Sequence, residues 1–233
     1  VFKSMLKVLF FMPGISFLII ALVNPKIGTK LKTVKREGVD VVFALDVSRS
    51  MLAEDIAPNR LEKSKQIISK IIDKLGSDRV GIIIYAGNAY PLLPITTDHG
   101  AAKMFLQNAS PDLVSSQGTA INEALNLAKT YYNNDEQTNR FLIIISDGED
   151  HQEETKQLAQ NISNDGIKVF TIGVGTEKGA LIPLKDNKGT ISSYKKDQNG
   201  ENVITKLYIH MCAFSMEMIS TSSIFKKNIV KNM

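Results

Sequence analysis

The sequence predicts an α/β protein: a doubly wound, mostly parallel sheet with helices on both faces, preceded by an N-terminal transmembrane helix. Three observations carry this. Nearly continuous β-branched runs recur through the middle of the chain, the composition of strands covered on both sides. Helically spaced segments of about a dozen residues separate them, as crossover connections require. A long uncharged apolar run lies near the N-terminus with lysines on either side.

Composition admits this architecture and excludes several others. The chain has 233 residues, 28 basic and 24 acidic, with 43% apolar and 22% charged side chains. That is globular and neither disordered nor collagen-like. A single cysteine, Cys212, excludes an internal disulfide framework and a cysteine-based zinc cluster, and His99, His151 and His210 stand far apart. The formal charge of +4 comes from the ends. Residues 1–36 hold lysines and Arg36 without an acid, the last 26 or so residues are weakly basic, and the stretch between is acidic overall. A nucleic-acid-binding domain needs its positive charge on the folded part, so no nucleic-acid partner is expected.

Residues 8–23, VLFFMPGISFLIIALV, carry no charge, and with Leu6 and Met5 the run approaches the ~20 residues that cross a bilayer core. Lys3 and Lys7 lie before it and Lys26, Lys30, Lys32, Lys35 and Arg36 after it, within reach of lipid headgroups. Residues 1–36 therefore read as a transmembrane helix with a basic flank. A signal peptide and a buried core helix are the rivals. Against the first, no small-x-small cleavage pattern precedes Asn24, and Pro13-Gly14 in mid-run is tolerated by membrane helices. The flanking lysines stand against the second. The chain opens on Val1, so further residues are expected upstream. The basic cluster after the helix favours a cytoplasmic domain by the positive-inside tendency.

Residues 37–179 form the predicted core. Residues 39–45 (VDVVFAL) read as a strand, and 59–75 as a helix with Leu61, Ile68, Ile72 and Leu75 on one stripe and Gly76 as its stop. Residues 79–86 (RVGIIIYA) are a second buried strand. Residues 90–95 are a short third strand, placed at a sheet edge by Pro91 and Pro94. Thr97-Asp98 open a helix over 101–108. Residues 119–132 carry Ile121, Ala124, Leu125 and Ala128 at helical spacing. Residues 141–145 (FLIII) are another strand, and Thr155, Leu158, Ala159 and Ile162 mark the next helix, stopped at Asn164-Asp165-Gly166. Residues 167–174 (IKVFTIGV) are the last parallel strand. Turn signals at 186–189 and 197–200 then predict a small polar β-hairpin appendage over 180–207.

In doubly wound sheets ligands bind beyond the carboxyl ends of the strands, which directs attention to the loops after Leu45, Ile145 and Val174. The first strand runs into Asp46-Val47-Ser48-Arg49-Ser50, three oxygen-bearing side chains at alternate positions. The FLIII strand runs into Ser146-Asp147-Gly148-Glu149-Asp150. Between them Thr119 opens its helix. Carboxylates with hydroxyls suit a hard cation such as Mg²⁺, which prefers oxygen ligands and retained waters. Each residue has a plainer reading. Asp46, Ser48 and Thr119 are ordinary helix caps by type, and Asp147-Gly148 an ordinary turn. Glu149 and Asp150 fit a solvated acidic rim, and His151 a helix start or surface position. Tyr85 and Tyr90 fit strand packing. A cap, however, does not require all five donors in this order.

That set resembles the metal-ion-dependent adhesion site of von Willebrand factor A domains: Asp-x-Ser-x-Ser in a first loop, Thr in a second, Asp in a third. Here the pattern falls on Asp46, Ser48, Ser50, Thr119 and Asp147, and the likeness runs from about residue 38 to 174. The neighbouring text, REGVD, DVSRSM, GIIIYAGNAY, SDGEDH and GVGTEKGALIPL, resembles the membrane-anchored von Willebrand A proteins of bacterial aerotolerance (Bat) type. The resemblance implies a bacterial inner-membrane protein with a periplasmic domain. It implies Mg²⁺, or another divalent cation such as Mn²⁺ or Ca²⁺, at the five donors. The partners it implies are a protein donating an acidic side chain, other von Willebrand A proteins and a MoxR-type AAA+ ATPase. The expected function is a metal-dependent protein-interaction scaffold and not an enzyme.

The alternatives are a metal-dependent phosphotransferase or hydrolase, and a structural membrane scaffold that needs no metal. A dehalogenase-type phosphotransferase needs a second acid two residues after the first, where this chain has Ser48. No Gly-x-Ser-x-Gly elbow and no P-loop occur, and Gly173-x-Gly175 with Gly179 is a poor dinucleotide fingerprint. After Leu207 the alternation stops, and four of the eight methionines fall in residues 208–233. This tail is expected to be truncated or out of frame, with an exposed sheet edge as the consequence.

Overall fold

The computed structural model describes residues 2–23, 38–118, 120–132, 139–148, 153–186, 191–197 and 199–207. The chain divides into two compact units, Val1–Lys35 and Arg36–Met233. In the first, helix α1 spans Phe2–Val23 with Pro13 inside it, and Phe10, Phe11, Phe17, Ile19 and Leu22 are exposed. The side chains of Ser4, Leu6, Val8 and Val23 lie outside the described ones, which leaves 9–22 as the unbroken described run. Among the described residues no helix is long and apolar enough to cross a membrane. The basic flank at 24–37 and the tail at 208–233 lie outside the described residues.

The second unit is built on strands β1 (Val39–Asp46), β2 (Arg79–Tyr85), β3 (Ala89–Thr96), β4 (Asn139–Ser146) and β5 (Ile167–Gly173). They form one sheet in the order β3-β2-β1-β4-β5. β1 pairs parallel with β2 and β4, and β4 parallel with β5. β3 is antiparallel to β2 and lies at the edge, where its two prolines had placed it. Helices α2 (Arg60–Ile72) and α3 (His99–Asn108) cover one face, and α4 (Ile121–Tyr131) and α5 (Glu153–Asn164) the other.

The near-continuous apolar strands have a direct structural cause. Along β1, Val41, Phe43 and Leu45 pack toward α2 and α3 while Val42 and Ala44 pack toward α4. Alternating side chains thus enter two different cores, and neither face tolerates a polar residue. Each large side chain so buried contributes about 1.5–3 kcal/mol. The stripes Leu61-Ile68-Ile72 on α2 and Ile121-Ala124-Leu125-Ala128 on α4 supply the facing surfaces.

Three expectations shift. Helix α2 ends at Ile72, and Lys74 and Leu75 donate to Ile71 and Ile72 in tightened turns before Gly76 at φ +60°, so Leu75 lies beyond the helix proper. The N-cap position of α4 belongs to Ala120, whose side chain cannot cap, and not to Thr119. The 180–207 segment is not one plain hairpin. It is a nested ribbon: β6 (Ala180–Leu181) pairs with β9 (Ile204–Thr205), and inside them β7 (Pro183–Lys185) pairs with β8 (Ile191–Tyr194). Ile182, which is buried, lies between the two pairs, and its carbonyl accepts from Lys195 N (2.9 Å).

Candidate metal centre

The winding reverses beside β1. The chain leaves β1 toward α2 on one face and leaves β4 toward α5 on the other, so a crevice opens between the two carboxyl ends. Asp46 closes β1 and Asp147 follows β4, both fully buried at this crevice. Asp46 Oδ1 accepts the backbone N–H of Ser48 (2.8 Å) and its Oδ2 accepts the hydroxyl of Ser146 (2.7 Å). The hydroxyls of Ser48 and Ser50, both buried, share a hydrogen bond of 2.9 Å. Ser48 does stand before a short 3₁₀ turn, Arg49–Leu52, but its side chain makes no capping bond there. Its hydroxyl is turned into the crevice cluster instead.

The structure therefore brings Asp46, Ser48, Ser50 and Asp147 to one rim. Thr119 lies outside the described residues, as do Glu149, Asp150 and His151. Its neighbours in the chain are pinned to the end of β2: Gly87 N donates to Ser116 O (3.1 Å) and Ala120 N to Ala86 O (2.6 Å). Tyr85 is wholly buried at the end of β2, whereas the Tyr90 hydroxyl bonds Ser115 (2.8 Å) on this loop.

Burial, and then the like charge of Asp147, push the Asp46 carboxyl up to about 7 against the hydrogen bonds from Ser48 and Ser146. Two buried acids held this close call for positive charge. Part of it comes from a residue that sequence reasoning missed. Arg60, the first residue of α2, is completely buried, and its Nη1 donates to Asp147 Oδ2 at 2.9 Å. Nε and Nη2 form a fork on Asp55 (2.8 and 2.9 Å), and the remaining donors reach Oγ1 and O of Thr205 (3.1 and 3.0 Å). Burial works to raise the Asp55 carboxyl, but bonds from Arg60 and Thr176 outweigh it and hold it below its ordinary range. One signal was available: a cation at a helix N-terminus opposes the helix dipole, so an arginine there implies a specific acid nearby.

Among the described residues no group of three or more His, Cys, Asp or Glu side chains is gathered as for a metal. The cluster here is of another kind, two carboxylates with serine hydroxyls. Such a donor set fits a hard divalent cation and not a soft one.

The family model of the von Willebrand factor type A domain matches residues 40–199. The chain belongs to this family. Among solved structures, it is 45% identical to the conserved hypothetical protein BatB from Bacteroides thetaiotaomicron, with a TM-score of 0.72 over 77% of this chain and 86% of that one. It is 43% identical to an aerotolerance-related membrane protein from Bacteroides fragilis, again at 0.72, covering 77% and 87%. The Bat-type resemblance read from the sequence is thus supported by structural neighbours of that description. Proximal thread matrix protein 1 from the mussel byssus, solved with a zinc-occupied MIDAS motif, is 20% identical at 0.52 over 60% of this chain and 36% of its own, a likeness of fold. Curated relatives include an uncharacterized protein of Borreliella burgdorferi, 27% identical over 74% of this chain and 51% of its own length. A UPF0353 protein of Nocardia farcinica is 29% identical over 82% and 60%. The chain spans about half the length of such relatives.

Proposed function

We propose that this von Willebrand A domain is a membrane-anchored interaction module, not an enzyme, that grips an acidic side chain of a protein partner through a divalent cation. The observation that carries it is the meeting of Asp46, Ser48, Ser50 and Asp147 at the reversal of the sheet, with the Asp46 carboxyl pushed toward neutrality by burial and then by the charge of Asp147. Mg²⁺ fits the oxygen set best, with Mn²⁺ or Ca²⁺ as substitutes, and Thr119 is the fifth donor. Few formal charges surround the ion, so a carboxylate from outside completes its coordination. Residues 1–36 supply the anchor in the bacterial inner membrane, with the domain on the periplasmic side. Support comes from the uncharged run 8–23, the exposed apolar side chains of α1 and the membrane description of a neighbour at 43% identity. Other von Willebrand A proteins and a MoxR-type ATPase are the proposed company.

Affinity capture from solubilised membranes tests this. Partners are recovered with Mg²⁺, and are lost with chelator or with Ser48→Ala, while the domain stays folded. Equal recovery of the same proteins under all three conditions overturns the reading in favour of a metal-independent scaffold.

A further inference from the structure

Thr205 belongs to the ribbon that looks like an appendage, yet it is buried and lies within hydrogen-bond distance of the cation rim's arginine. We propose that Arg60 is a positioning residue for the cation site, and that the ribbon, through Thr205, sets the affinity of that site for its ion. The inference rests on the cation-site reading above.

The guanidinium has five N–H donors in a fixed plane, and all are committed. Nε and one Nη2 donor fork onto Asp55, which is itself held by the backbone N–H and hydroxyl of Thr176 (2.8 and 2.9 Å). The two Nη1 donors are divided between Asp147 Oδ2 and Thr205 Oγ1, and the second Nη2 donor goes to Thr205 O. Gly175, at φ +153°, packs over the group so closely that a Cβ would stand 3.1 Å from Cζ and Nε. There is no slack in any direction. One planar cation thus ties the loop before α2, the carboxyl end of β4 and β9 together, across 87 and 145 residues of sequence.

Loss of the Thr205 hydroxyl leaves one buried Nη1 donor without its acceptor. Either the guanidinium shifts and drags Asp147 with it, or the donor turns onto Asp147 and competes with the ion for that carboxylate. Both routes weaken cation binding. Coupling free energies are reciprocal, so a bound cation must in turn tighten the ribbon.

The test is calorimetric titration of the full chain in detergent with Mn²⁺. Thr205→Val, which keeps the branched shape, is expected to bind about tenfold more weakly, and Thr205→Ser to bind as the parent does. In the parent, saturating Mg²⁺ is expected to raise hydrogen-exchange protection of the Leu207 amide, which donates to Thr176 O at 3.0 Å. Parent-like Mn²⁺ affinity in Thr205→Val, with only a lowered thermal midpoint, overturns the inference and leaves the cation site standing. Unchanged Leu207 protection overturns it as well, whether or not the variant folds. A parent chain that binds no Mn²⁺ overturns the cation site and this inference together.

Discussion

A carboxyl group whose pKa stands near 7 inside a protein is half ionised around neutrality, and Asp46 is such a group. The sign of its effect on stability follows. Folding raises this pKa above the value of 3.8 for the free side chain, so its stabilising contribution is full below that value and is lost as pH rises toward about 7. A cation bound at the proposed site would compete with the proton for the same oxygens. Mg²⁺ is therefore expected to raise the thermal midpoint little at pH 5 and most above pH 7, measured by calorimetry across that range. Asp46→Asn removes both effects: its midpoint at pH 8 without cation is expected to equal or exceed the parent's, and Mg²⁺ no longer shifts it. An undiminished Mg²⁺ shift in this variant would contradict the role given to Asp46. At this scale Asp46, Ser48, Ser50 and Asp147 were legible because oxygen-bearing side chains directly after an apolar strand are out of character for a core. Arg60 left one signal, its place at a helix N-terminus, but its link to the rim was not legible, because Asp147 and Thr205 are distant in sequence and only the winding of the sheet assembles them.

Among the elements, the connection between β2 and β3 matters to the site although it offers no donor. Gly87 sits there, and a Cβ would stand 2.2 Å from Ser116 Oγ and 2.8 Å from Gln117 O. The serine can rotate away but the backbone carbonyl must move, and the 114–118 loop leads directly to Thr119. Gly87→Ala is expected to cost about 1–3 kcal/mol by denaturant unfolding and to weaken cation binding in titration. Cation binding at the parental affinity would show that the loop does not help shape the site. The strands and helix stripes were readable from periodicity, since burial on one or two faces writes a period directly into the sequence. Helix ends and the nested ribbon were less so. Asn59 and Asp98 announce their caps by accepting from Glu62 N and Ala101 N, whereas the N-cap of α4 is Ala120, which gives no such signal. At the break in the ribbon Ile182 is buried, and a lone isoleucine between turn residues does not foretell that.

For the molecule as a whole, the division at residue 35 predicts that anchorage and recognition separate. A chain lacking residues 1–36 is expected to leave the membrane fraction on cell fractionation while keeping the Mg²⁺ shift of its thermal midpoint. Retention in the membrane would assign the attachment to another part of the protein. The edge formed by β3 bears on how such domains can meet. Pro91 and Pro94 remove two backbone donors from that strand, as suits a border that does not pair further. Extension of the sheet through this border by another backbone is thereby discouraged.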